Sequence, residues 1–491
     1  MIVRHLWKPL PAYPALSASL GYVISPYRNA TGESERVDSE VILTMDTYQA
    51  RIAEANSLGE RIRKFREQRR LTLSELASRA DISRTCHWQQ NADVVALIDW
   101  NLGNLFAGNF RYEQALDHLF RALGRFRNRN RISPDDTAWM QTTIGYLSYR
   151  AGRCQTAIKQ FTEAIARWEG AMTGQLPIPE TGHLIARRGL GSIYERLGRF
   201  QDARDCLERT YRLAQEVGEN AELAWLAARL GFLYIHTGDW NESDVKMKEA
   251  WEIIDRLMPT VSDKRGLEII QEIILNNRGL LLLRKGCYEE ALEQSRKSLH
   301  KAEELQDSRG QAFCYHFIAL IYAVQQDKPG EALEHIQKAE SQFRRMGIRY
   351  YMSEIYACQA EIYCRLRLKP AAFPLIQEAL SITTDSETGS PYQETLVRRV
   401  LGLVYAADYP ELKPEWDKAD DELRKSVEML EDIEAPYDLA RAHYDYGQIL
   451  AKEGRVDEAR ERFQQARDIA SRLKANGIVA EVEKELECLP A

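Results

Sequence analysis

The chain has 491 residues, 44% of them hydrophobic and 28% charged, with 66 Lys and Arg against 73 Asp and Glu for a net charge of −7. That composition can bury a large core in more than one structural unit, and it excludes a protein whose whole surface binds nucleic acid or anionic membrane. No apolar run reaches the ~18 residues of a membrane span, so no membrane partner is expected. The eight cysteines contain no C-x-x-C pair and fall singly within helical patterns, which fits reduced thiols in a cytoplasmic protein better than disulfides or zinc. Residues 1–45, with prolines at 9, 11, 14 and 26, read as a disordered tail rather than a signal peptide, and Met45 just before the first helical pattern offers an alternative start.

Residues 46–90 contain a basic stretch: Leu58 to Gln90 carries eight Lys or Arg against four Asp or Glu. LGERIRKFREQRRLTLSELASRADIS resembles the Cro/repressor-type helix-turn-helix family. A first helix over Leu58–Gln68 turns Ile62 and Phe65 inward, Thr72 fits an N-cap, and Leu76, Ala77 and Ala80 lie on the buried side of a second helix. The resemblance implies that Arg84 and Thr85 open a recognition helix and meet base edges. Arg61, Arg63, Lys64, Arg66, Arg69 and Arg70 would then supply phosphate contacts. The match is partial. Leu73 stands where the family often has a phosphate-binding glutamine, His87 and Gln90 occupy positions that should be apolar, and the two helices that complete the family's domain are missing. Either the first repeat helix substitutes for them, or the segment no longer reads DNA.

From Leu102 onward one phrase recurs nine times, as in LGNLFAGNFRYEQALDHLFRAL, IGYLSYRAGRCQTAIKQFTEAI and YGQILAKEGRVDEARERFQQAR. Small residues mark a first helix (Gly103, Gly145, Gly191, Gly231, Gly279, Ala319, Ala360, Gly402, Gly447) and a second (Ala115, Ala157, Ala203, Ser243, Ala291, Ala332, Ala372, Ala419, Ala459). Two antiparallel helices nest closely only where side chains are small. The phrase resembles the tetratricopeptide repeat. The resemblance implies an all-α fold, a right-handed superhelix of about nine repeats over 91–476 with a capping helix over 477–491. From Ala115 to Ala459 is 344 residues in eight steps, a mean of 43, so the helices or connections are longer than in a 34-residue repeat. Glycines 152, 198, 238, 286 and 454 fall at the expected turns.

In this repeat family the first helices line the concave side, and residues two or three before the small position and one, four and five after it are exposed there. At those positions stand Asn101, Asn104, Arg150, Arg188, Arg196, Arg229, His236, Asn276, Asn277, Arg284, Arg365 and Arg399, with Trp100 and His316 beside them. Acidic residues are few, chiefly Glu195, Glu361 and Asp445, so the face reads as basic. Arginine forks pair with carboxylates, and asparagine amides satisfy both groups of an extended backbone. A peptide or an acidic protein segment is the natural ligand; arginines that only bridge to neighbouring repeats are the alternative. GRFRNRNR, from Gly124 to Arg131, reads as a connection that is either a solvated loop or a phosphate-contacting arm.

No Gly-rich phosphate loop, H-E-x-x-H or nucleophile elbow is present in the sequence, and the nine histidines are isolated. The expectation is a cytoplasmic regulator, not an enzyme and without a cofactor. Its repeat face binds a peptide or protein, and occupancy alters curvature or homodimerisation and so DNA binding. A scaffold with a degenerate helix-turn-helix, or a regulatory subunit of a separate enzyme, is the alternative.

Overall fold

The computed structural model describes residues 92–490, leaving out 109, 128–133, 173–180, 219, 326–327, 350 and 409–412. The chain divides into a unit of residues 1–23 and 99–491 and a smaller unit of 24–98, of which only 92–98, the start of one helix, are described. The tail and the helix-turn-helix, with Arg61, Arg63, Lys64, Arg66, Arg69, Arg70, Arg84 and Thr85, lie outside the described residues.

The described residues form helices and no strands. Repeat 1 pairs α1 (Ala92–Gly108) with α2 (Tyr112–Arg127), repeat 2 pairs α3 (Pro134–Arg150) with α4 (Cys154–Met172), and repeat 3 pairs α5 (Thr181–Arg196) with α6 (Phe200–Val217). Repeat 4 is α7 (Asn220–Thr237) and α8 (Trp240–Leu257), repeat 5 is α9 (Arg265–Lys285) and α10 (Tyr288–Glu304), and repeat 6 is α11 (Ser308–Val324) and α12 (Pro329–Arg345). Repeat 7 is α13 (Met352–Arg365) and α14 (Lys369–Thr383), repeat 8 is α15 (Pro391–Ala406) and α16 (Trp416–Ile433), and repeat 9 is α17 (Pro436–Glu453) and α18 (Val456–Leu473). A single helix, α19 (Asn476–Cys488), follows and buries Ile478 and Val482.

The small residues act as the repeat pattern requires. All nine of the second-helix series are fully buried. A Cβ on Gly103 would lie 2.6 Å from Leu119, on Gly145 2.8 Å from Phe161, on Gly191 2.7 Å from Leu207, on Gly231 2.8 Å from Met247 and on Gly447 2.7 Å from Phe463. Each contact falls sixteen residues downstream, where the second helix returns past the first. In repeat 8 the partner of Gly402 is Leu423, twenty-one residues on, because the connection before α16 is five residues longer. The helix pair therefore survives the insertion with its packing unchanged.

The superhelix winds until its second turn touches its first. The glycines that close the turns of repeats 3, 4 and 5 have φ of +78°, +83° and +84°, the left-handed region that glycine tolerates best. Added Cβ atoms there would lie 2.7 Å from Tyr392 of α15, 2.6 Å from Leu473 of α18 and 2.5 Å from the Gly477 nitrogen of α19. Repeats 3, 4 and 5 thus meet repeat 8, repeat 9 and α19. One turn takes five repeats, and a seam runs between the two turns. Along it the Cys154 N–H donates to the Glu387 carbonyl at 2.9 Å and the Ser390 hydroxyl to the Arg196 carbonyl at 2.6 Å.

One buried acid stands inside repeats 5 and 6, where burial outweighs the charge of Arg309, which favours its ionised form. Glu272 accepts from the Ser298 hydroxyl at 2.9 Å, with the Cys314 thiol 3.5 Å away. Burial, and then the charge of Asp307, push its carboxyl up to about 7. A raised carboxyl favours the folded state fully below its unfolded value of ~4.3, and that contribution is lost as pH rises through about 7. Glu272→Gln is therefore expected to come closest to the wild type in chemical denaturation at pH 4 and to gain on it by up to ~3 kcal/mol by pH 8. An equal difference at both pH values would contradict this assignment.

Candidate functional site

The inner helices carry a charged lining whose groups bridge neighbouring repeats. Arg188 Nε donates to Glu222 Oε2 at 2.9 Å, and its guanidinium lies 5.0 Å from the Trp225 ring centre. Arg229 reaches back to Glu195 at 2.6 Å. In the second turn Arg399 spans Glu361 at 2.7 Å on one side and Asp445 on the other, while Arg365 donates to Glu361 at 2.7 Å and to the Ala323 carbonyl. Arg441 joins α17 to α19 through Glu481 at 2.7 Å. Burial opposes ionisation of Glu361, but Arg399, Arg365 and Arg441 together hold its carboxyl well below the usual range. Charge-assisted forks of this kind fix the register of one repeat on the next.

A second set of pairs crosses the seam. Arg196, the last residue of α5, donates to Glu354 in the first turn of α13 at 2.7 Å and stacks 4.2 Å from the Tyr351 ring centre. Gln393 also donates to Glu354 and accepts from Ser353 at 3.0 Å. Arg284, one residue from the end of α9, donates to the Ile235 carbonyl at 2.9 Å and lies 3.3 Å from Asp438 in the first turn of α17. Tyr392 donates to Asp438 at 2.8 Å and stands 3.0 Å from His236 Nδ1. His236 stacks on Phe200, and burial, reinforced by Arg284, Arg229 and Arg196, keeps its imidazole neutral. In both seam pairs a cation sits at a helix C-terminus and a carboxylate at a helix N-terminus, each the favoured end for its charge.

The structure thus distributes the residues chosen from the sequence into distinct settings. Arg188, Arg229, Arg365 and Arg399 belong to bridges within a turn, whereas Arg196, His236 and Arg284 belong to the seam. Arg150 and His316 are buried at 7% and 4% exposure. Asn277 is buried with its amide 3.4 Å from the Ala228 carbonyl, and Asn276 beside it is buried with an Oδ1 that has no hydrogen-bond partner among the described residues. Asn104 is half-buried with an equally unpartnered Oδ1, and Asn101 is exposed. The face expected to be basic is close to balanced, because Glu222, Glu354 and Asp438 join it. They stand six or nine residues before the small positions at 231, 360 and 447, which is one or two helical turns before the lining positions two and three residues ahead of those, and that 3.6-residue spacing is the signal for them. Of the arginine run, Arg125 and Arg127 are helical, not in a loop, and pair with Asp99 and with Glu163.

No helix among the described residues is long and apolar enough to cross a membrane. Residues 183–253 and 271–345 match one tetratricopeptide-repeat family, and 142–217 and 422–472 match a second. Together with the nine described helix pairs, these matches make the fold an all-α tetratricopeptide superhelix. Protein kinesin light chain-related 1 of Arabidopsis thaliana is 22% identical over 200 residues, 40% of this chain and 31% of its own length, so the chain spans less than a third of that relative. Among solved structures, a Rap protein complexed with competence and sporulation factor aligns over 79% of this chain and 99% of its own, at 14% identity and a TM-score of 0.53. The Rap conjugation gene regulator of plasmid pLS20 in complex with the Phr* peptide aligns over 76% and 96%, at 13% identity and a TM-score of 0.48.

Proposed function

We propose that this chain is a regulatory protein that binds a peptide, or an extended segment of a partner protein, along the inner lining of its repeat superhelix, and that residues 46–90 convert the bound state into DNA binding. The observation that carries the reading is Asn276 beside Asn277: two amides in the middle of α9, both buried on the lining, one with an unused acceptor. Mid-helix asparagine is unfavourable, and a buried acceptor without a donor is costly. An extended peptide backbone supplies the missing N–H, and the arginines around the amides suit its carboxylates. The Rap protein whose fold this chain shares is described as complexed with competence and sporulation factor, which gives the reading a precedent without transferring its ligand.

Asn276→Ala/Asn277→Ala is expected to weaken retention of a co-purified partner at least tenfold, while helix content, which alanine favours, stays unchanged. Undiminished retention would reject the lining as the site. For DNA, the full chain is expected to shift its own upstream region in a gel at low salt and to lose it as salt rises. Arg61, Arg63, Lys64, Arg66, Arg69 and Arg70 would supply the phosphate contacts, and Arg84 and Thr85 the sequence preference. His87 and Gln90, polar where the module's core should close, favour a second reading. In that reading the chain is a non-DNA-binding interaction scaffold, and no shift appears with or without partner.

A further inference from the structure

We propose that Asp438 and Glu354 are built-in competitors for the lining: a carboxylate-bearing peptide that binds there takes their places on Arg284 and Arg196, and the two turns of the superhelix part along the seam as it does so. The inference rests on the peptide-binding reading above and adds the chemistry and the regulation of that site.

The two pairs share one design. Arg196 to Glu354 and Arg284 to Asp438 each run from the end of an inner helix to the start of the inner helix four repeats later, across 158 and 154 residues of chain. The other lining pairs, Arg188 with Glu222, Arg229 with Glu195, and Arg399 with Glu361 and Asp445, join adjacent repeats and stay intact if the turns separate. Of these lining ion pairs, Arg196 with Glu354 and Arg284 with Asp438 are the two that opening breaks. Both arginines are buried, at 8% and 6% side-chain exposure, so neither can lose its carboxylate without a replacement close by. Parting the seam into water alone forfeits both pairs, whereas a ligand that brings its own carboxylates replaces them. Asp438, once released, stays at the first turn of α17, where the helix dipole favours its charge. Because a ligand shifts a conformational equilibrium only by its differential affinity for the two states, the exchange of carboxylates couples binding to opening.

The test uses the full chain and fluorescein-labelled octaglutamate, with octaglutamine as the uncharged control. Asp438→Asn/Glu354→Gln, which keeps size and removes both charges, is expected to raise amide exchange in the turns around Gly198, Gly238 and Gly286 at least tenfold. Protection in α3 and in α4 beyond its first turn, away from the Cys154 amide that bonds across the seam, should stay at the wild-type level, and octaglutamate should bind at least tenfold tighter than to the wild type. Saturating octaglutamate on the wild-type chain is expected to raise exchange at the same three turns, which keeps the idea testable if the double variant folds poorly. Wild-type exchange in the variant, opening without tighter octaglutamate binding, failure of both chains to bind octaglutamate, or a peptide that protects the three turns would each overturn it. If Asn276→Ala/Asn277→Ala loses its partner while these outcomes fail, the clasp is wrong and the binding site stands. If that variant keeps its partner while the double variant opens and binds octaglutamate more tightly, the clasp stands and the lining assignment fails.

Discussion

Arg399→Ala is expected to cost about 3–5 kcal/mol at pH 7, because it leaves the buried Asp445 and the half-buried Glu361 without the cation that spans them. Arg365 still reaches Glu361 at 2.7 Å, but only Arg441, at 3.7 Å, remains near Asp445. The loss should be local, read as increased hydrogen exchange in α13, α15 and α17 before α3 and α5 change. Its pH dependence has a definite sign. The depressed Glu361 carboxyl contributes stability that is present above its unfolded value and is lost as pH falls through the lower folded one. The gap between variant and wild type should accordingly be widest near neutrality and narrow below about pH 4.5. A deficit under about 1 kcal/mol at pH 7, the scale of a solvated pair, would show that water reaches these carboxylates.

The second large effect separates two jobs that glycine performs in the turns. Gly454→Ala and Gly286→Ala both force alanine into the left-handed region, at φ of +94° and +84°, for roughly 1–2 kcal/mol each. Around Gly454 there is nothing within 4 Å for a new methyl group to meet. At Gly286 the methyl would lie 2.5 Å from the Gly477 nitrogen and 2.9 Å from its Cα, and backbone cannot rotate away. An additional ~1–3 kcal/mol is expected there from overpacking, with proteolysis at the start of α19 as the visible consequence. Equal costs in chemical denaturation would mean that the second turn does not press on the first.

The repeat was legible because its signal is periodic, a small residue on each helix; the structure adds the condition of a large apolar partner sixteen residues on, which Ser295 opposite Gly279 does not meet. Leu119, Phe161, Leu207 and Met247 meet that condition at Gly103, Gly145, Gly191 and Gly231. Even the insertion in repeat 8 left both anchors recognisable. The seam was not legible. Nothing in the sequence near Arg284 points to Asp438, because a contact set by superhelical pitch links residues 154 apart with no local pattern to mark it. The acidic half of the lining is hidden in the sequence for a related reason. Its arginines cluster near the small residues that set the register, while Glu222, Glu354 and Asp438 sit a turn or two earlier. Asn276 and Asn277 stood out in the sequence for their polarity in an apolar run, and their burial on α9 agrees with that. Which of them bears the unused acceptor is a fact of packing alone.

Repeat proteins are usually treated as a row of units in which each feels only its neighbours, so that stability accumulates link by link and ends fray independently. The contact of repeats 3, 4 and 5 with repeat 8, repeat 9 and α19 removes this chain from that description. Each of these units has, besides its neighbours in sequence, one directly above or below it, and the row becomes a sheet rolled on itself. Shortening the chain by one repeat at its C-terminus therefore also strips the middle of the molecule. The long loops that must close before such contacts form raise the contact order, and folding slows accordingly.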